Sequence, residues 1–320
     1  MCLHARLKKR LTASVLLPLL LVSGAWKSAG AQDCDACQTE ERKTAESWTV
    51  RRRVDEVQVL FTATRHGRFI GGLTQNAIRV WDNNAPVAVV AFRGQENLPL
   101  RIALLIDTSN SIHDRFLFEK KAAVLFLQQT LRSKDDEAMV AGFNDRLQLA
   151  QGFTHDLHLL SSGIMGLRSS GATAMFDAVS QACELLARSG QGMVARVLVV
   201  VSDGDDNTSK TSLKSAVERA DETQVTIYAI GANYQSNDIA SRQNLKHLSR
   251  ATGGRALFPA TAPQVRHDFA RISEDLRHRY EVAYRPPEFA RDGRFHRIRV
   301  EARWSGKNLK VQARRGYYAR

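Results

Sequence analysis

Five oxygen-bearing side chains stand where they could act together on a cation. Asp107, Ser109 and Ser111 occupy alternate positions directly after the apolar run Ile102–Ile106. Thr173 follows Gly171 and Ala172 at the opening of a helical pattern, and Asp203 lies in Ser202-Asp203-Gly204, directly after the apolar run Val197–Val201. Hard divalent cations take oxygen ligands, and Mg²⁺ binds near-octahedrally at about 2.0–2.1 Å while keeping several waters. Mn²⁺ and Ca²⁺ take oxygen ligands as well. Two carboxylates nearly neutralise such an ion, and three hydroxyls add no charge, so the ion keeps its attraction for a further anion such as a carboxylate on a protein partner. Taken singly, each residue has a structural reading: Asn110, Ser111 or Thr173 as a helix N-cap, Ser-Asp-Gly as a turn. Their order and placement at strand exits and helix starts favour the joint reading.

The elements that must position them alternate. Apolar runs at Ile102–Ile106, Ala138–Phe143, Leu147–Phe153, Val197–Val201, Val225–Ile230 and Ala256–Phe258 are interleaved with helical patterns. Those patterns are Phe116–Leu131, Leu157–Leu167, Ala174–Ala187, Leu213–Asp221, Ile239–Ala251 and Pro263–Leu276. Val197–Val201 has no polar alternation, as a strand covered on both faces requires. The alternation predicts an α/β fold with a doubly wound, mainly parallel, Rossmann-like sheet, whose ligands bind at the carboxyl ends of the strands.

Asp-x-Ser-x-Ser, a later Gly-x-Thr before a helix, and a strand ending in Ser-Asp-Gly together resemble the metal-ion-dependent adhesion site (MIDAS) of von Willebrand factor A (VWFA) domains. The resemblance spans about residues 97–280. It implies that Asp107, Ser109, Ser111, Thr173 and Asp203 are metal ligands, and that the protein is a non-enzymatic module for metal-dependent protein binding or adhesion. Gly72-Leu73-Thr74 and Arg315-Gly316-Tyr317-Tyr318 are also similar to a secreted bacterial subgroup, the VWFA-related acidobacterial domain family.

The flanks have β texture. In residues 50–96, Val57, Val59 and Phe61 alternate with polar neighbours; in 281–320, Phe295–Trp304 places Ile298, Val300, Ala302 and Trp304 on one face. Segments of about 40 residues rarely fold alone, so the two flanks are expected to pair as a small β-sandwich-like module from which the α/β domain is looped out. Residues 1–31 read as a signal peptide, with Arg6, Lys8, Lys9 and Arg10 before the apolar run Leu11–Val22 and small residues at Ala29-Gly30-Ala31. That run is short of the roughly 17–25 residues of a spanning helix, and no second one follows. The expected location is therefore the periplasm, the cell surface or the medium. Residues 32–49 read as a linker; Cys34 and Cys37 within it read as a local disulfide or tail thiols, and Cys183 as a buried inert thiol.

The formal charge is +13. Five basic residues and no acid fall in 1–31, and residues 291–320 hold ten basic residues against Asp292 and Glu301. Arg297, Arg299, Arg303, Lys310 and Arg314 could therefore share a face that attracts an anionic surface. Export argues against nucleic acid as its partner. An enzymatic alternative is a metal-assisted hydrolase with His113 or Asp114 as base, although no G-x-S-x-G, H-E-x-x-H or phosphate-binding glycine loop is present. Asp203, Asp205 and Asn207 mimic the start of an EF-hand, but Thr208 and Lys214 stand where its glycine and glutamate belong, which leaves a solvated acidic loop beside the site.

Overall fold

A computed structural model describes residues 56–96, 98–109, 116–190, 194–231, 239–286 and 292–319. The leader, the 32–49 linker with Cys34 and Cys37, and residues 110–115, which include Ser111, His113 and Asp114, lie outside them. The N-terminal flank supplies β1 (Val57–Arg65), β2 (Arg68–Phe69), β3 (Ile78–Asp82), β4 (Ala85–Val87) and β5 (Val89–Glu96). The middle of the chain runs β6 (Leu100–Asp107), α1 (Phe116–Thr130), β7 (Glu137–Phe143), β8 (Leu147–Thr154), α2 (Leu157–Gly166), α3 (Met175–Arg188) and β9 (Ala195–Ser202). It continues with α4 (Leu213–Glu222), β10 (Thr226–Gly231), α5 (Ile239–Ala251), β11 (Ala256–Leu257) and α6 (Ala262–Arg277). The C-terminal flank adds β12 (His278–Tyr284), β13 (Phe295–Trp304), β14 (Lys307–Asn308), β15 (Lys310–Ala313) and β16 (Gly316–Tyr318).

The middle segment forms a six-stranded sheet in the order β11-β10-β9-β6-β7-β8, parallel except for β8, which pairs antiparallel with β7. Its central strands are buried on both faces, which is why β6 and β9 are apolar without alternation. Leu104, Val197 and Val199 pack on one face with α1 and α6; Leu105, Leu198 and Val200 pack on the other with α3, α4 and α5. Helix α3 shows the cause: Met175, Ala178, Val179, Ala182, Cys183 and Leu186 recur at spacings of three and four and are all buried. Burial pushes the Cys183 thiol up to about 12, so it stays protonated. Among the described residues, no helix is long and apolar enough to cross a membrane.

The two flanks build antiparallel sheets together. In one, β1 lies between β12 and β15, with Val59 opposite Val282, and β5 pairs with β12. In the other, β13 pairs with β3, Val300 opposite Val80, while β16 adds to β13. Val59, Phe61, Val80, Tyr280, Val282, Ile298 and Val300 fill a common core between the sheets. Because β12 begins at His278, a strand of this module starts inside the 97–280 segment.

Two expectations for the C-terminal flank are corrected. The chain changes sheets at Arg314-Arg315, since β15 joins the sheet of β1 and β16 joins the sheet of β13. Gly316 is needed there, since a Cβ would stand 2.2 Å from the His296 carbonyl oxygen. Arg314 is consequently turned inward, where a guanidinium N–H donates to the Gln58 carbonyl (2.7 Å) and the charge faces Asp221. It does not share a face with Arg297, Arg299 and Arg303, and Lys310 belongs to the opposite sheet. Trp304 is 39% exposed, because β13 ends in a turn into β14 beyond the cover of the core.

One buried carboxylate fixes the end of α6, where the chain passes into the β module. Asp136 accepts N–H bonds from Leu100 (3.0 Å), Arg132 (2.9 Å) and Ser133 (2.8 Å) and pairs with Arg277 at the end of α6, which also donates to the Thr130 carbonyl. Burial pushes the Asp136 carboxyl up, but the Arg277 guanidinium and the three N–H groups outweigh it and hold the group below its ordinary value. A carboxylate depressed in the folded state stabilises above its unfolded pKa of about 3.9, and that stability is lost as pH falls through the lower folded value. Asp136→Asn, which leaves Arg277 buried against a neutral partner, is expected to cost about 3 kcal/mol at pH 7 and progressively less in acid, read by urea denaturation from pH 7 to pH 2.

Candidate metal centre

Asp107 ends β6, Asp203 follows β9, and these neighbouring central strands bring the two acids to the same carboxyl edge. Asp107 is fully buried. The Ser202 hydroxyl donates to its Oδ2 (2.6 Å), and the Ser109 N–H donates to its Oδ1 (2.9 Å). Burial pushes the Asp107 carboxyl up to about 6; the Ser202 and Ser109 hydrogen bonds pull it down, and the charge of Asp203 adds to the rise. Among the described residues, Asp107 has no ion-pair partner.

The hydroxyl candidates are carried by loops that are bonded to one another. Ser170 N–H donates to the Thr108 carbonyl (2.6 Å), and the Ser169 hydroxyl donates to the Ser109 carbonyl (2.9 Å). Asn144 holds the same stretch, with Nδ2 on the Ser170 carbonyl (3.0 Å) and its own carbonyl accepting from Ala174 N–H (2.6 Å). Thr173 is clamped to the loop after Asp203: its N–H donates to Asn207 Oδ1 (3.0 Å), and its carbonyl accepts from Asn207 N–H (3.0 Å) and Thr208 N–H (3.1 Å). Helix α3 is capped by position 174, an alanine with no side-chain cap bond, so Thr173 is not spent as an N-cap. Among the described residues its hydroxyl makes no hydrogen bond, although the residue is only 3% exposed.

The structure therefore gathers Asp107, Ser109, Thr173 and Asp203 at one edge of the sheet; Ser111 falls outside the described residues. It also supplies supporting residues that the sequence reading passed over. The loop after Asp203 is a built clamp and not a merely solvated one: Asp205 accepts from the Ser241 hydroxyl on α5, Asp206 accepts Phe176 N–H (2.8 Å), and Asp177 accepts Lys210 and Thr211 N–H groups (3.0 and 2.8 Å). Its density of Asp, Asn and Ser was the available signal, since these side chains cap helix starts and close turns. Gly204 is required for two reasons: its φ is +93°, and a Cβ would stand 2.3 Å from the Ser241 carbonyl oxygen.

The donor set fits a hard cation. Among the described residues, no three His, Cys, Asp or Glu side chains gather as a metal site, so an ion at this edge would rest on two carboxylates with hydroxyls and water. A cation would also supply positive charge beside the buried Asp107, which has no ion-pair partner among the described residues.

The von Willebrand factor type A domain model matches residues 101–270, more than half of the chain, and the protein belongs to that family. No curated protein matches it. Solved structures similar to it include a von Willebrand factor type A protein from Catenulispora acidiphila, at 11% identity over 77% of this chain and 76% of that one, with a TM-score of 0.49. Another is the vWF domain of the type V pili tip protein Mfa5 from Porphyromonas gingivalis, at 12% identity over 55% and 94% of the two chains, TM-score 0.46. A third is the conserved hypothetical protein BatB from Bacteroides thetaiotaomicron, at 14% identity over 55% and 98%, TM-score 0.45.

Two predictions arise from the site. A carboxyl raised in the folded state contributes stability that is present below its unfolded pKa of about 3.9 and is lost as pH rises through about 6. Asp107→Asn is therefore expected to raise the melting temperature of the metal-free protein at pH 8, by up to about 3 kcal/mol of stability, and to have no such effect at pH 4. Gly204→Ala, which forces a side chain into the Ser241 carbonyl, is expected to lose at least about 2 kcal/mol in chemical denaturation.

Proposed function

We propose that the protein is an exported, non-enzymatic binding module that holds a divalent cation, Mg²⁺ or its oxygen-preferring relatives Mn²⁺ and Ca²⁺, and uses it to grip an acidic side chain on a protein partner. The observation that carries this is the buried Asp107 beside Asp203 at the carboxyl edge of the sheet, where, among the described residues, Asp107 has no ion-pair partner and the hydroxyl of Thr173 makes no hydrogen bond. Membership of the von Willebrand factor type A family supports the same reading. Asp107, Ser109, Ser111, Thr173 and Asp203 would hold the ion, and the ion would supply Lewis-acid attraction for the partner's carboxylate. The chain's own part is to fix the donors: Ser202 orients Asp107, and Asn207 and Asn144 fix the backbone on either side of Thr173. The basic leader at 1–31 supports export to the periplasm, the surface or the medium.

Isothermal titration of MgCl₂ and MnCl₂ into the full chain tests the proposal. Saturable one-site binding is expected, weakened at least tenfold by Thr173→Ala and abolished by Asp203→Ala, with the circular dichroism spectrum unchanged. Affinity should fall as pH drops below about 6, where Asp107 takes up a proton. A folded wild type that binds neither ion, or variants that bind as well as wild type, would overturn it.

A further inference from the structure

Away from the metal edge, helices α4 and α5 of the α/β domain face strands β13 and β16 of the β module across a groove of about 560 Å³. That is within the range of roughly 300–1,000 Å³ usual for ligand sites. Its lining combines apolar surface with cations: Phe295 and Tyr318 from the β module, and Lys214, Arg297 and Arg315 around them, with the His247 imidazole beside them. Phe295 is 41% exposed and packs edge-on against Tyr318, with ring centroids 5.2 Å apart. Two acids stand at the same wall: Glu218 is already bonded to the Tyr318 hydroxyl (2.9 Å) and paired with Lys214 (3.7 Å), and the buried Asp221 faces the Arg314 charge. Arg299 is likewise occupied, lying 4.1 Å over the Trp81 ring and 3.5 Å from Glu301. Among the described residues, Arg297 and Arg315 have no ion-pair partner.

From this arrangement we propose that the groove binds an acidic glycan, a chain of sugar rings bearing carboxylate or sulfate groups. Planar guanidiniums take carboxylate and sulfate oxygens in bidentate fashion, and two of them without partners flank a partly exposed aromatic surface on which the apolar face of a sugar ring can lie. A flat lipid surface cannot follow a concave seam. An extended acidic peptide would bring backbone N–H and C=O groups that need partners. The lining strand, β13, already bonds to β16 through Phe295–Arg297 and to β3 through Ile298–Ala302. The groove uses none of the candidate metal ligands, so it binds with or without a cation.

Fluorescence anisotropy of a labelled heparin hexasaccharide, titrated with the full chain in EDTA, tests this site separately from the cation site. Saturable binding is expected, weakened at least tenfold by Arg297→Ala combined with Arg315→Ala and by Phe295→Ala, which leaves the charge unchanged. Binding should also weaken between 50 and 300 mM NaCl. Arg303→Ala combined with Lys307→Ala, the same loss of charge beyond the groove, should change affinity less than threefold. Absence of binding, equal weakening by the groove and control pairs, or competition by hexaglutamate as strong as that by unlabelled hexasaccharide would overturn the proposal. Melting temperatures of the variants exclude loss of fold as the cause.

Discussion

The carboxylate of Asp107 sets the terms for the upper edge of this molecule. It closes the central strand of a sheet whose two faces are both covered by helices, so it has no route to bulk water except upward through the loops. An acid in that position is costly to ionise, and burial, offset in part by the Ser202 and Ser109 hydrogen bonds, leaves it at about 6. The surrounding polar groups follow from this cost: Ser202 and Ser109 bond its two oxygens, and the loops at 108–109, 144, 169–174 and 203–211 are bonded to each other and not left to water. A cation bound at this edge would lower the cost of ionising Asp107 beside Asp203.

The opposite end of the sheet meets a different constraint. Helix α6 passes without a break into β12, which lies inside the β module, so the junction must be rigid for both modules to keep their cores. Arg277 sits at that junction, and Asp136 gathers it together with the starts of β6 and β7. The chain enters and leaves the α/β domain through neighbouring strands, β5 and β12, and the flanks are thereby forced to complete one another. Such a construction separates the two candidate ligand regions: the cation edge is made by the α/β domain alone, whereas the basic and aromatic groove exists only where the two modules meet.

Much of this was legible in the residues. Runs such as Val197–Val201 lack polar alternation because they are covered on both faces, and the three-four spacing in α3 reports its single buried stripe. Together these give the alternating α/β order and place Asp107, Thr173 and Asp203 at strand exits or a helix start. The flanks were legible as β structure that needed a partner, since neither could bury a core alone. What the pattern misjudged lies at ends and corners: Trp304 continues the apolar alternation of β13 yet stands beyond the core, and Arg314 continues the basic stripe yet turns inward where the chain changes sheets.

The sequence by itself thus determined the elements and their order, because hydrophobic periodicity is a local record of which face of an element is covered. Tertiary structure alone decided what does the covering and what each polar group meets. The pairing of β1 with β12 joins residues more than two hundred positions apart, the Ser241 carbonyl approaches Gly204 from another helix, and the groove between α4, α5 and β13 combines side chains from three separate stretches of chain. Contacts of that kind depend on register and packing across the whole fold, and no local spacing encodes them.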